Sequence, residues 1–449
     1  MSNNKVNTNK METSPVFKLI IQMAIPPLIS MFMQYSYNLV DCIFVAQINE
    51  KALTAVSLVF PITTLMSAVA IWIGVGVNVL ISTKLGCKDQ NGANNIVTTG
   101  VLVATVVGVI LNVIVLLIAK PFISSFTNDD EIMKLAIHYL SVFAFTGIPC
   151  TVHLCIQKII QGTGNMLAPM WFQIAGVVFN FIFDPILIFG YFGFPKLGVY
   201  GAAAASVGGY IVSMILAFYV LLFCKQKVQL KVREFPFSKS YVKEIFVLGF
   251  PSFVMNALGA FMTYFTNSIL VVYSTTTVAF FGAYFKIQQV VTMTLNGLIQ
   301  GCIPVMSYNY GAKNEKRLRE VFRCGTWISI ILTGISILLL WSFPAQILKA
   351  FNASSNMMSF GITALRIMCS SYIFAAVSTM IASFMQSTRN VGISVLINLF
   401  RQFLFLFPSM WLFSNIWGIN GVWISFVIAE VLTFLCGIIF YKKRSIHLN

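Results

Sequence analysis

Apolar residues are gathered along this chain in twelve long blocks, separated by short stretches that carry charge, Gly, Pro or Asn. Blocks of this length and apolarity predict membrane-crossing helices, not strands. The first six are predicted over 17–45, 52–82, 95–118, 131–158, 167–190 and 197–223. The second six are predicted over 244–272, 278–308, 320–341, 356–385, 389–413 and 419–441.

Composition agrees with the pattern. Of 449 residues, 58% are hydrophobic, and only 29 Lys and Arg with 13 Asp and Glu carry charge. A soluble domain carries about a quarter charged residues, so this chain lacks the polar groups to coat a water-facing surface. Twelve crossings of about 20 apolar residues each use about 240 residues and leave short loops. The expected fold is an all-α polytopic protein in the lipid bilayer. The polar start, Met1 to Pro15, runs straight into a long apolar segment and does not read as a cleavable signal peptide.

The net charge of +16 is no signature of nucleic acid, because the basic residues sit at loops and ends. With both termini in the cytoplasm, 21 Lys and Arg fall inside, among them Lys84, Lys88, Lys158, Arg389 and those of Lys313–Arg323. Only Lys51, Lys120, Lys134, Lys196 and Lys349 fall outside. That asymmetry orients the protein, multi-pass in the cytoplasmic membrane, with both termini cytoplasmic. The nine cysteines are scattered with no CxxC pair, so neither a zinc site nor a disulfide framework is indicated.

The sequence repeats itself at an offset of 225. Ile25-Pro26 matches Phe250-Pro251; Leu85-Gly86 and Lys88 match Tyr310-Gly311 and Lys313; Gln161, Thr163 and Asn165 match Gln386, Thr388 and Asn390. Near the end of each half the offset shortens, pairing Gly198–Ala202 with Gly418–Val422. Two pseudo-symmetric six-helix bundles follow, an N-lobe over 1–223 and a C-lobe over 244–449, joined by a cytoplasmic linker over 224–243. Six spans per half give both halves one orientation, a parallel repeat that in transporters frames a central cavity.

Ionisable residues inside apolar spans are costly and therefore informative. They are Asp41, Asp184, Glu430, Lys286, Arg366 and Arg401, with His138 and His153 on the fourth helix. Gln34, Tyr37 and Asp41 share one face of the first helix, and Asn180 and Asp184 are one turn apart on the fifth. Pro185 removes a backbone donor and disfavours regular helix at Asp184; Pro26 offers a bend in the first helix. His153, Gln157 and Gln161 form a third stripe. Each has a bland alternative: an interfacial carboxylate for Asp41, pairing with Lys286 or Arg401 for Glu430, packing for His153, and interhelical glue for the glutamines. No acid matches Asp41 at the repeat offset, where Thr266 stands, and that asymmetry favours a task for the two N-lobe acids. Walker A, GxSxG and HExxH are all missing, so hydrolysis and ATP-driven transport lack their motifs and the chain does not read as an enzyme.

The segment from Met23 to Ile62, the QGTGN run at 161–165, FNFIFDP at 179–185 and the duplicated six-helix plan resemble the MATE (multidrug and toxic compound extrusion) family, over roughly residues 15–441. The spacing from Pro26 to Asp41 and the Asn180/Asp184-Pro185 cluster are the specific parts. The similarity is greatest to the prokaryotic branch of multidrug exporters whose acids lie in the N-lobe.

That resemblance implies a MOP-type fold and antiport without a cofactor: a proton or Na⁺ enters while a lipophilic, mostly cationic compound leaves. It places cation or proton binding on Asp41, Asn180 and Asp184, and a hinge at Pro26, with Pro185 a second. A hydroxyl from the sixth helix commonly completes the site, whereas the matching position here is Ala202, which tilts the expectation from Na⁺ to H⁺. Candidate cavity residues are Gln34, Tyr37, Gln157, Gln161, Asn256 and Met293, among 20 Met, 41 Phe and 15 Tyr that supply adaptable walls. The chain is read as a working monomer. Lipid-linked oligosaccharide flippases of the same superfamily are the alternative; they tend to have basic cavities and often extra helices. A membrane-embedded acyl- or glycosyltransferase would need His/Asp motifs that are not visible.

Overall fold

The computed structural model describes residues 10–231, 238–351 and 353–446. Among them, twelve helices are long and apolar enough to cross a membrane. They are α1 (Val16–Ala46), α2 (Glu50–Gly86), α3 (Gln90–Ser124), α4 (Asp130–Gly162), α5 (Leu167–Phe189) and α6 (Val199–Phe223). The second set is α7 (Lys239–Leu270), α8 (Thr275–Gly311), α9 (Glu315–Ser342), α10 (Ser355–Ser387), α11 (Val391–Trp417) and α12 (Ile419–Lys443). Most exceed the apolar blocks by a few residues, because polar caps carry the helix past the apolar stretch. Asn49 caps α2 by accepting from the Ala52 N–H, Asp89 caps α3 at Gly92, Ser274 caps α8 at Thr277, and Asn314 caps α9 at Arg317. Lys84 at 2.8 Å and the Gly92 N–H hold the Asp89 carboxyl below the usual carboxylate range. Part of the expected linker, residues 232–237, lies outside the described residues.

The 225-residue repeat is written in the backbone. Lys88 and Lys313 both take left-handed φ, at 59° and 54°, and so do Gly164 and Arg389 at 89° and 63°. Gly198 and Gly418, at 57° and 58°, match at the shorter offset. A 3-10 turn over Ala144–Thr146 interrupts α4, and α10 is interrupted at Ser370-Ser371, again 225 residues on. The offset shortens at one place. Nine residues, 190–198, join α5 to α6, whereas Gly418 alone joins α11 to α12, and a longer α11 makes up part of the difference.

Contacts divide the chain into two units, Pro26–Phe253 and Met1–Ile25 with Val254–Asn449. The first stretch of each half's leading helix packs with the other set. In the unit Pro26–Phe253, Trp72 of α2 stacks on Phe253 of α7 at 4.7 Å and donates through Nε1 to the Phe246 carbonyl at 2.6 Å. The fit is close: a Cβ on Gly249 would lie 1.9 Å from the Trp72 carbonyl oxygen, and one on Gly76 2.0 Å from that of Ile245. In the other unit, Gly301 of α8 lies against Met23 and Ala24. There Asn309 Nδ2 and Arg317 Nε donate to the Met11 carbonyl at 3.2 and 3.0 Å, and the Tyr308 hydroxyl donates to Glu12 at 3.1 Å. Each unit has its own core, around Val45, Ile62, Tyr139 and Ile188 in one and Phe280, Phe281, Met368 and Trp423 in the other.

Candidate functional site

The polar residues of the unit Pro26–Phe253 converge from α1, α4, α5 and α6. Small residues make this possible. A Cβ on Gly176 would meet Ser213 Oγ at 1.9 Å and one on Gly209 would meet Asn180 Nδ2 at 2.5 Å, so α5 and α6 touch along a seam that only glycine permits. On that seam Asn180 is 5% exposed and Asp184, one turn on, is fully buried at 0%. α5 stays helical through Pro185, so the irregular backbone expected at Asp184 does not form. α1 likewise stays helical through Pro26 and Pro27, and the Ser30 hydroxyl donates back to the Pro26 carbonyl at 3.1 Å.

Asp41 closes the α1 stripe and is buried at 8%. One turn earlier the Tyr37 hydroxyl is hydrogen-bonded to Ser206 Oγ of α6 at 2.6 Å. The Asp41 and Asp184 carboxyls lie within electrostatic reach of each other, and the Tyr37 and Tyr139 hydroxyls within reach of both. Asp41 Oδ1, Asn180 Oδ1 and both oxygens of Asp184 are buried without a hydrogen-bond partner. Among the described residues no Lys or Arg pairs with either acid. Four buried oxygens facing an apolar lobe form a hard-donor set suited to a proton or a small alkali cation. No group of three His, Cys, Asp or Glu that would hold a resident metal occurs among the described residues.

A chain of amides lies beside this cluster. Gln157 Nε2 of α4 donates to Gln173 Oε1 of α5 at 2.6 Å, and Gln173 Nε2 donates to Gln34 Oε1 of α1 at 3.1 Å. Gln161, 1% exposed, accepts from Lys158 Nζ at 2.9 Å. Lys158, counted from sequence as a cytoplasmic loop charge, is in fact buried in α4 with its stem over Gly74. His153 is packed between Phe172 and Tyr210, with both ring nitrogens unpartnered.

Sequence reasoning missed Ser206, Gln173 and Tyr139. Two were within reach: Gln173 stands seven residues before Asn180 on the same face of α5, and Ser206 one turn after Ala202. Tyr139 carried no periodic signal. In the other unit Asn256 and Met293 are half-buried on α7 and α8. Glu430 of α12 is paired with Arg401, whose Nε donates to Oε1 at 2.6 Å, and Lys286 is exposed. Arg401 sits on a π-turn over Phe400–Leu404.

Comparison with known proteins adds the following. The MatE family model matches residues 26–186 and 251–412, two segments that begin 225 residues apart at Pro26 and Pro251. The multidrug export protein MepA of Staphylococcus aureus strain MRSA252 is 23% identical over 435 residues, covering 95% of this chain and 94% of that protein. An FAD transporter of Shewanella oneidensis is 22% identical over 421 residues, covering 94% and 93%. A solved structure of the outward-facing conformation of a multidrug resistance MATE family transporter of the MOP superfamily shares the fold, with a TM-score of 0.92 at 24% identity over 98% of each chain.

Proposed function

This chain belongs to the MatE family of multi-pass membrane transporters, and on that premise we propose that it is a secondary active multidrug exporter. It expels lipophilic, mostly cationic compounds in exchange for a coupling ion, with the proton favoured over Na⁺. The observation that carries this reading is the buried, unpartnered set of Asp41, Asn180 and Asp184 oxygens. An apolar lobe does not hold two bare carboxylates, so their charge is matched by a bound proton or cation. The proton is favoured because Ala202 supplies no hydroxyl, and Ser206, one turn on, is engaged by Tyr37.

In the proposed cycle, ion loading from outside neutralises the lobe, α1 bends at Pro26, and the cationic compound loses its counter-charge and leaves. Release of the ion inside restores the negative field and the affinity for the next compound. Gln34, Tyr37, Gln157, Gln161, Asn256 and Met293 are the proposed substrate walls. The protein works as a monomer in the cytoplasmic membrane with both termini inside, its six-helix lobes joined through residues 224–243.

The test is efflux of ethidium from proteoliposomes under an imposed pH gradient or an imposed Na⁺ gradient, comparing wild type with Asp41→Asn and Asp184→Asn. Wild type responds to the pH gradient and both variants lose the response. Wild-type rates in both variants would overturn the assignment. FAD, the cargo in the name of one relative, and lipid-linked oligosaccharide serve as alternative substrates in the same vesicles; transport of the latter with no drug efflux would favour a flippase.

A further inference from the structure

Arg366, a basic residue in an apolar span, has no role in the reading above. Arg366 of α10 is exposed, and among the described residues its guanidinium has a single partner, Nη2 donating to the Trp341 carbonyl of α9 at 3.2 Å. Trp341 returns the bond, Nε1 to the Arg366 carbonyl at 3.2 Å. No carboxylate among the described residues pairs with Arg366. It lines a groove of about 430 Å³ with Trp341, Thr363, Ser370, Ile424 and Val427, drawn from α9, α10 and α12.

The depth of the groove follows from the sequence. Residues 324–341 of α9 carry no charge after Arg323 and rise about 27 Å at 1.5 Å per residue, close to the hydrocarbon thickness of about 30 Å. Residues 367–388 are likewise uncharged between Arg366 and Arg389. Both helices therefore set Trp341 and Arg366 at the edge of the apolar slab opposite Arg323 and Arg389. Tryptophan favours that level, and an arginine there extends its head toward the lipid phosphates. Four guanidinium N–H donors remain, and the Thr363 hydroxyl lies one turn before Arg366 on the same face. Below the groove on α9, Leu338 is 68% exposed and continues the apolar surface.

The geometry points to a binding site for the headgroup phosphate of an anionic glycerophospholipid, with Arg366 and Thr363 on the phosphate and an acyl chain along α9. A net negative headgroup is required because Arg366 carries an uncompensated charge, and a zwitterionic lipid brings its own cation. In the orientation proposed above this is the outer leaflet. The site is independent of the coupling residues.

Native mass spectrometry of the purified full-length protein, titrated with phosphatidylglycerol and with phosphatidylcholine of the same chains, tests this. Loss of one arginine near a lipid surface is worth a factor of about five. Arg366→Gln is expected to weaken retention of the first phosphatidylglycerol by about that factor and leave phosphatidylcholine unchanged, while Arg366→Lys keeps most of it. A photoreactive phosphatidylglycerol should label the wild-type α9 and α10 peptides around Trp341 and Arg366, a readout that needs no variant. Equal phosphatidylglycerol retention by Arg366→Gln and wild type, or no labelling of those peptides, would refute the site. Displacement of the lipid by millimolar inorganic phosphate would also overturn it, in favour of a free-anion site.

Discussion

Arg401 on α11 and Glu430 on α12 are joined by an Nε to Oε1 hydrogen bond of 2.6 Å, and Arg401 Nη1 reaches the Thr379 hydroxyl of α10 at 2.9 Å. One guanidinium thus ties three helices together, so Glu430, the third acid within the spans, acts in packing. Removing one partner of a shielded pair strands a charge and costs about 3–5 kcal/mol, whereas replacing both with apolar groups is often neutral. Glu430→Ala and Arg401→Ala should each lower the melting temperature in detergent, and Arg401→Met with Glu430→Leu should recover most of the loss. An unchanged melting temperature in both single variants would show the pair to be incidental.

The amide chain from Gln34 through Gln173 to Gln157 makes a graded prediction. Gln173→Leu removes both bonds and leaves the buried Gln157 amide without its partner, for a loss of about 1–3 kcal/mol. Gln34 is exposed, so Gln34→Ala should cost less. Thermal unfolding of the two variants side by side checks the order.

Tyr37 offers a finer probe of the acid cluster. Tyr37→Phe keeps the ring but frees Ser206, a change of about 1 kcal/mol for one hydrogen bond. Gradient-driven efflux should fall about fivefold without vanishing, unlike the loss expected for Asp184→Asn. An equal loss in both would make Tyr37 a direct proton carrier.

The glycines divide sharply. Gly249→Ala would press a methyl group to within 1.9 Å of the Trp72 carbonyl oxygen, where backbone must shift; overpacking of this kind costs about 1–3 kcal/mol or more. Gly259 on α7 and Gly392 on α11 have nothing within 4 Å of a built Cβ, and alanine there should be neutral or stabilise by up to about 1 kcal/mol. Expression level and melting temperature of the three variants read this directly.

The sequence by itself determined twelve spans, their limits to within a few residues, the 225-residue repeat, and the presence of Asp41 and Asp184 inside apolar runs. These are legible because a lipid environment ties apolar run length to helix length, and because any charge left inside a run is costly enough to announce itself. Cap residues such as Asn49 and Ser274 lie 225 apart as well, so the repeat extends to local hydrogen bonding.

What only the tertiary structure decided is who pairs with whom. Arg401, not Lys286, takes Glu430; Lys158 is buried, not a loop charge; and Gln173 bridges two glutamines that a one-helix stripe could not connect. The split of contacts at Ile25 and Phe253 belongs here too, since Gly76, Gly249 and Gly301 matter only through the backbone they admit. The physical reason is range. Hydropathy and helical periodicity act within one helix and are written in sequence, whereas interhelical hydrogen bonds and close glycine contacts depend on residues 16 to 306 positions away, which chain order alone does not bring together.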